Sequence, residues 1–235
     1  MTAKLPVDTL ILSHPNTDFD AFAGMLAAQL LYPGAQVCLY GGANRNVREF
    51  YNLHAEQIPN VDPSALDRDS VRTVILVEVS DPDRLGELAE LVHRPDVDVV
   101  AFDHHGEPSF ESATTFVARD GSLVTSMLKL LLERGIQITP MQATAFALGI
   151  HEDTGSLTYP TATQRDAEAL AWCLRHGARQ ELLAQFLHTS VELMKILARA
   201  CGHTHLNELS IDDLVTWKDD MSRLAGVPYG GVGLS

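Results

Sequence analysis

Residues 13–20, with the sequence Ser-His-Pro-Asn-Thr-Asp-Phe-Asp, place His14, Asp18 and Asp20 between an apolar run and a segment with helical periodicity. On a regular helix these three side chains would not all point in the same direction, but in a loop that leads from a strand into a helix they can converge. Imidazole and carboxylate groups together form a site for a divalent metal ion. Capping of the helix that starts near Ala21 is the alternative for one aspartate, and it leaves the other aspartate and His14 unexplained.

A second polar cluster, Asp103-His104-His105, ends the apolar run 97–102. Two adjacent imidazoles at the end of a buried strand cost free energy unless they are solvated or bind a ligand. A neighbouring carboxylate commonly orients a metal-bound histidine. The pattern therefore favours a site over a single structural histidine.

A further carboxylate, Asp153, lies in Gly-Ile-His-Glu-Asp-Thr-Gly at the predicted end of a helix. A negative charge there opposes the helix dipole unless something positive compensates it. Taken alone, Asp153 is best interpreted as a solvated loop residue beside the glycine that ends the helix. The other clusters make it a candidate ligand.

The elements that must position these residues alternate between apolar strands and amphipathic helices, which predicts a doubly wound, mostly parallel α/β sheet flanked by helices. Each polar cluster that follows a strand then lies at the carboxyl edge of the sheet, where such folds bind ligands. The predicted strands are 7–14, 35–42, 71–81 and 97–105, and the predicted helices are 21–34, 46–53, 84–93, 122–135, 139–155, 163–178 and 181–203.

Four segments in this order, H-x-x-x-D-x-D, Leu-Val-Glu-Val-Ser-Asp, Asp-His-His and His-Glu-Asp-Thr-Gly, resemble the DHH phosphoesterase superfamily from about Leu10 to Gly177. The context of these motifs is most similar to the DHH module of nanoRNA or oligoribonucleotide phosphodiesterases. The same module occurs in bacterial CCA-adding and poly(A) polymerase fusions.

The resemblance implies two divalent ions, usually Mn²⁺, with Mg²⁺ or Co²⁺ as alternatives. Two residues would face the substrate or support the site: His105 at the substrate phosphate and Asp103 behind the metal centre. Arg84 is a tentative phosphate contact. The implied ligands are His14 and Asp18 for the first ion, Asp20, His104 and Asp153 for the second, and Glu78 as the bridge between them.

The chain departs from the family pattern in two places. Glu78 stands where the family has aspartate, so the bridging carboxylate is displaced by one methylene, and Asp81 is a substitute ligand if the strand ends early. The expected organisation is a DHH domain over 1–185, followed by a linker helix and a partial or atypical segment over 186–235. Little or none of the second lobe that family members carry is recognisable there.

The hypothesis that follows is a metal-dependent phosphodiesterase acting on short RNA or DNA oligonucleotides or dinucleotides. The alternatives are a nucleotide-binding or regulatory module of a tRNA nucleotidyltransferase-type protein, and an inorganic pyrophosphatase. The formal net charge of −14 argues against duplex DNA as a partner. The first apolar run is too short to span a bilayer, so we expect a cytoplasmic protein without membrane contact. The sequence leaves a homodimer open.

Overall fold

The structure, a computed structural model, describes residues 4–104 and 114–188, which contain seven strands and six complete α-helices. Residues 180–188 are also helical, as predicted for the start of the helix 181–203. Two compact units divide the chain, Met1–Ala184 and Gln185–Ser235, and the seven strands and six complete helices belong to the first. The strands are β1 Leu5–Pro6, β2 Thr9–Ser13, β3 Gln36–Cys38, β4 Leu66–Asp67, β5 Thr73–Val77, β6 Asp98–Asp103 and β7 Thr114–Val117. The helices are α1 Phe19–Leu31, α2 Arg45–His54, α3 Ala89–Val92, α4 Leu123–Glu133, α5 Pro140–Asp153 and α6 Gln164–Arg175.

The central sheet has five parallel strands in the order β3-β2-β5-β6-β7, and β1 pairs with β4 in a separate two-stranded sheet. This arrangement confirms the predicted α/β fold with a mostly parallel sheet. After β2 the chain forms β3, on one side of the neighbouring strands β2 and β5. After β5 it forms β6, on the opposite side of that pair. The carboxyl ends of β2 and β5 therefore flank the topological switch point, where open parallel sheets form a crevice.

Apolar side chains cover both faces of the sheet, as expected for parallel strands between helical layers. On one face, Leu12 and Leu76 join a buried cluster with Leu85 from the 3₁₀ segment Pro82–Leu88. On the other face, Val77 packs so closely against α1 that a Cβ at Gly24 would lie 2.7 Å from it. Packing of α1 on the sheet therefore depends on a residue without a side chain.

Three local predictions differ from the structure. The strand β7 was not predicted, because its four residues form an exposed edge without alternating apolar and polar positions. The predicted helix 84–93 is a 3₁₀ segment followed by the single turn α3, because Gly86 has φ 51° and interrupts regular helix geometry. Residues 59–70, which lie outside every predicted strand and helix, contain β4 and a short 3₁₀ turn, Arg68–Ser70.

Some predictions lie outside the described residues: His105, most of the predicted helix 181–203, and nearly all of segment 186–235. Within the described part, Cys38 and Cys173 are buried free thiols, and burial raises the pKa of each to about 12. In the same part of the chain, we find no helix that combines the length and apolar character needed to cross a bilayer.

Candidate metal centre

Ionisable side chains lie together at the switch point because each is at, or next to, the end of a strand or helix located there. His14 comes directly after β2, Glu78 after β5 and His104 after β6. Asp18 and Asp20 lie at the start of α1, and Asp153 is the last residue of α5. The structure thus brings all six predicted ligand residues to the carboxyl edge of the sheet.

The first group of potential ligands consists of His14, Asp18 and Glu78, each of which offers one ligand atom within 4.8 Å of the others. His14 Nε2 lies 3.7 Å from Asp18 Oδ2 and 3.8 Å from Glu78 Oε2. His14 Nδ1 lies 3.0 Å from the carbonyl oxygen of Pro15. A hydrogen bond donated there orients the ring so that Nε2 faces the carboxylates, as in protein metal sites.

The second group consists of Asp20, Glu78, His104 and Asp153, again with ligand atoms within 4.8 Å of one another. His104 Nε2 lies 3.1 Å from Asp153 Oδ2, 3.3 Å from Glu78 Oε1 and 3.9 Å from Asp20 Oδ2. Three carboxylates and one imidazole therefore converge on one point. Asp153 is only partly buried and leaves this group open on one side.

Glu78 belongs to both groups, and its two oxygens are divided between them: Oε2 faces His14 and Oε1 faces His104. Its backbone has φ 55°, a left-handed conformation that costs about 1 kcal/mol for a residue with a side chain. Oε1 is buried, and no donor among the described residues reaches it with hydrogen-bond geometry. A buried carboxylate oxygen without a donor is the environment of a metal ligand, so the residues fit a pair of cations.

Asp20 is completely buried and is held by the beginning of α4. Its Oδ1 accepts hydrogen bonds from the Ser122 hydroxyl at 2.5 Å and the Val124 N–H at 3.2 Å, and its Oδ2 accepts one from the Leu123 N–H at 2.7 Å. Free N–H groups at a helix N-terminus favour a negative charge. These contacts orient Asp20 Oδ2 toward His104.

Asp18 combines two roles that the sequence presents as alternatives. It is the N-cap of α1, where its Oδ1 accepts a hydrogen bond of 3.0 Å from the Ala21 N–H. Its other oxygen, Oδ2, is the one that faces His14. A carboxylate has enough lone pairs for both contacts, so capping of the helix also fixes the position of a potential ligand.

The electrostatics of the centre favour cations. Burial raises the pKa values of Asp18 and Asp20, and the nearby Glu78 charge raises them further. Burial alone would lower the pKa of His104, but Asp153 and Glu78 outweigh it and raise the pKa to about 11. The pKa of Glu78 lies well below its usual range, because contacts with His104, His14 and Asp20 outweigh its burial. The acidic cluster thus stabilises positive charge at its centre.

Comparison with known proteins identifies the domain that carries this centre. The model of the DHH family, N-terminal domain, matches residues 8–150, which is more than half of the chain. The chain belongs to the DHH family. DHH proteins are metal-dependent phosphoesterases, so the acidic cluster lies in a domain of phosphoesterase type.

Two relatives of this DHH chain are A-adding tRNA nucleotidyltransferases. The protein from Geobacter sulfurreducens is 32% identical over 210 residues, which cover 86% of this chain and 24% of the relative. The protein from Aquifex aeolicus is 27% identical over 171 residues, or 72% of this chain and 19% of the relative. The DHH chain therefore spans about a quarter or less of the length of these relatives.

A solved structure of an exopolyphosphatase-related protein from Bacteroides fragilis shares the fold of the DHH chain, with a TM-score of 0.65. The sequence identity is 16%, and the match covers 82% of this chain and 61% of the other. This likeness concerns the fold alone. It agrees with the parallel sheet described above.

Sequence reasoning missed two residues that support the DHH metal centre, Ser122 and Glu152. Glu152 Oε2 accepts a hydrogen bond of 2.6 Å from the Phe19 N–H and so ties the end of α5 to the start of α1. The pKa of Glu152 is raised to about 7, mainly because the side chain is buried. The only sequence signals were a serine directly before α4 and an acid beside Asp153, and neither indicates a distant partner.

The other predicted site residues of the DHH chain have different settings. Asp103 is the buried last residue of β6, and its carbonyl accepts a hydrogen bond from the Ala118 N–H. Arg84 is exposed in the 3₁₀ segment Pro82–Leu88. The roles of both stay predictions. Asp81 is not among the grouped ligands and caps that 3₁₀ segment by accepting a hydrogen bond from the Asp83 N–H, so it does not substitute for Glu78.

Proposed function

We propose that this DHH chain is a two-metal phosphodiesterase that hydrolyses short oligonucleotides or dinucleotides, with Mn²⁺ as its preferred ion. The observation that carries the proposal is Glu78, whose two oxygens face two separate groups of potential ligands. A carboxylate shared in this way is what a pair of closely spaced ions requires. Oxygen and imidazole ligands without a thiolate suit Mn²⁺ or Mg²⁺ better than a structural Zn²⁺.

The ligand assignment follows the two groups. His14 and Asp18 would hold one ion, Asp20, His104 and Asp153 the other, and Glu78 both. When bound, two divalent ions supply an activated water nucleophile and stabilise charge on the phosphoryl oxygens. The protein contributes the orientation: Ser122 and α4 hold Asp20, and the Pro15 carbonyl orients His14.

A charge argument supports a small substrate rather than duplex nucleic acid. Four carboxylates, those of Asp18, Asp20, Glu78 and Asp153, balance the charge of two divalent ions, so the loaded site no longer repels a phosphodiester. The chain as a whole carries a net charge of −14, which disfavours binding of a long polyanion. The names of the curated relatives connect this kind of domain with tRNA and nucleotide chemistry.

The test combines metal counting with a substrate panel. Wild type is expected to bind two Mn²⁺ per chain and to hydrolyse 5′-phosphorylated dinucleotides and short RNA faster than pyrophosphate or cyclic dinucleotides. Asp18→Asn keeps the helix cap, because asparagine is an equally good N-cap, but removes a charged ligand. We expect this variant to lose one ion and most of the activity.

Asp81→Asn is the matched control, because it makes the same substitution at a cap residue outside the metal centre. It should retain two ions and wild-type turnover. Wild type that binds fewer than two ions, or that cleaves only pyrophosphate, would contradict the proposal.

A second candidate is a nucleotide-binding module without hydrolysis. Glu78 at a position where the resemblance implies aspartate favours it, as does the similarity to a quarter of a tRNA nucleotidyltransferase. Two bound ions without turnover of any phosphodiester would support this candidate. The variant Glu78→Asp distinguishes the phosphodiesterase from the nucleotide-binding module further. It has the shorter side chain that the family pattern implies, and it should gain activity only if the longer glutamate side chain had abolished hydrolysis.

A further inference from the structure

A cavity of about 670 Å³ opens beside the metal centre, a volume typical of small-molecule sites. His104 and Asp153 line it on the side of the centre, together with Thr161. The loop 118–121, which connects β7 to α4, lines another part. The cavity therefore borders the position that a phosphate bound to the ions would occupy.

The loop 118–121 is held in place at three points. The Ala118 N–H donates a hydrogen bond of 2.8 Å to the Asp103 carbonyl. Asp120 pairs with Arg165 at 2.6 Å and accepts a hydrogen bond from the Ser126 hydroxyl. The Gly121 N–H donates to Asp166 Oδ2 at 3.1 Å. These contacts involve every residue of the loop except Arg119.

Arg119 is the residue that this fixed loop presents at the cavity. It is exposed, and within residues 4–104 and 114–188 its side chain makes no ion pair or hydrogen bond. Arg119 therefore presents a positive charge at the cavity beside the acidic centre, with no carboxylate partner among the described residues. A guanidinium group in this position matches the geometry and charge of a phosphate.

A second cavity, of about 470 Å³, continues from the first along Val117–Asp120. Phe116 lines it with 36% of its surface exposed, and its ring stacks on Phe102 with centroids 4.8 Å apart and an interplanar angle of 7°. The stacking fixes the orientation of the ring. An exposed aromatic ring next to Lys129 and Arg165 is a suitable platform for a nucleobase.

We propose that these two cavities form the site for the nucleotide next to the scissile bond, with Arg119 on its phosphate and Phe116 against its base. This inference rests on the proposed function and specifies its substrate class: a linear, 5′-phosphorylated oligonucleotide of at least two residues. Arg119 acts as a binding and specificity residue, because it lines the cavity beside the centre and is not one of the grouped metal ligands.

The decisive variant is Arg119→Gln, assayed with two substrates. A 5′-phosphorylated adenylyl dinucleotide offers a second phosphate, whereas bis(p-nitrophenyl) phosphate has only the scissile group. We expect KM for the dinucleotide to rise about tenfold or more, the effect of losing a charge-assisted hydrogen bond, with kcat nearly unchanged. Kinetics with bis(p-nitrophenyl) phosphate should stay at the wild-type level.

Arg134→Gln is the matched control. It removes the same charge at the far end of α4, about 16 Å along the helix from its first residue. It should leave both substrates unaffected. Equal effects of Arg119→Gln on both substrates, or no effect on either, would overturn the proposal.

Measurements of dinucleotide affinity test the proposed nucleotide site without requiring that the protein hydrolyse the dinucleotide. Calorimetric titration of the same dinucleotide in Ca²⁺ should give a Kd about tenfold weaker for Arg119→Gln than for wild type. Phe116→Ala should also weaken it, whereas Leu53→Ala, at an exposed apolar residue on α2, should not. If wild type hydrolyses nothing, the proposed function fails while this titration still tests the site. Identical Kd values for wild type and Arg119→Gln would refute the inference.

Discussion

At the scale of single residues, the centre depends on how carboxylate oxygens are shared. Asp18 uses one oxygen to cap α1 and the other to face His14, and Glu78 directs one oxygen to each group of ligands. Asp20 accepts three hydrogen bonds from the start of α4 and still faces His104. Each of these carboxylates is therefore positioned by the protein before it could contact an ion, which limits the entropy lost on binding.

The shared carboxylate allows a prediction about stoichiometry. Glu78→Gln keeps the size of the side chain but removes the charge that both groups use. We expect Mn²⁺ affinity to fall at least about tenfold at both sites, because each loses a charged ligand. Calorimetry with Mn²⁺ should show no tight site in Glu78→Gln and one in Asp18→Asn. Loss of a single site in both variants would contradict a bridging role.

At the scale of elements, helix ends position the ligands. The N-terminus of α4 holds Asp20, and α5 approaches α1 so closely that a Cβ at Gly149 would lie 3.0 Å from the Asp20 Cα atom. Glu152 adds a hydrogen bond between the same two helices. The metal centre therefore depends on the packing of three helices that are distant in sequence.

Removal of the Ser122 hydroxyl tests this support. Ser122→Ala deletes the hydrogen bond to buried Asp20 without touching the ligand groups themselves. Mn²⁺ affinity should fall about 10- to 100-fold, as is typical when a partner that orients a ligand is lost. Ser64→Ala, in an exposed turn, is the control in the same calorimetric assay. Unchanged affinity in Ser122→Ala would show that α4 does not position the ligand.

The start of α6 gives a prediction about pH. Burial raises the pKa of Asp166, but contact with Thr125 and hydrogen bonds from Thr163 and the Gly121 N–H outweigh it, and the pKa lies below its ordinary value. A lowered folded-state pKa stabilises the protein above the unfolded pKa of about 4, and the stabilisation is lost as pH falls through the folded pKa. Asp166→Asn should therefore lower the free energy of unfolding by about 1 kcal/mol at pH 7.

Urea denaturation followed by circular dichroism measures this effect. The difference between wild type and Asp166→Asn should narrow when the pH is lowered to about 3. Asp98→Asn, at the exposed first residue of β6, controls for the general loss of a carboxylate. A difference that stays constant or grows toward acid pH would contradict the role of the charged carboxylate.

At the scale of the whole molecule, the net charge of −14 coexists with four carboxylates at one edge of the sheet. Their mutual repulsion lowers the stability of the folded state, and bound cations would remove that cost. Binding that is confined to the folded state stabilises it by about 2.7 kcal/mol when the ligand is at 100 times its Kd.

Thermal unfolding should detect the stabilisation of the folded state by bound Mn²⁺. Saturating Mn²⁺ is expected to raise Tm by about 5–10 °C, since 1 kcal/mol shifts Tm by about 2–4 °C in a chain of this size. NaCl at matched ionic strength should have a much smaller effect, and Glu78→Gln should show little response to Mn²⁺. Equal shifts with NaCl and Mn²⁺ would indicate general charge screening in place of a specific site.

The sequence pattern alone indicated the architecture and the edge of the sheet where polar residues meet, whereas the full set of six ligands came from the resemblance to the DHH superfamily. The apolar runs of β5 and β6 are local signals of buried parallel strands, and the polar residues that follow them must lie at one edge of the sheet. His14, Glu78 and His104 could therefore be brought together from the chain order alone. The same local signals failed for β7 and for the segment 84–93, where an exposed edge and a glycine with positive φ decide the conformation.

Only the tertiary structure revealed what holds the ligands and what lies beside them. The hydrogen bond between Ser122 and Asp20 joins residues 102 positions apart, and Glu152 reaches Phe19 across 133 positions. Periodicity and motif spacing report which face of an element is buried, because they depend on neighbours along the chain. They do not report which distant backbone groups pack against a given side chain, since that depends on the packing of helices on the sheet.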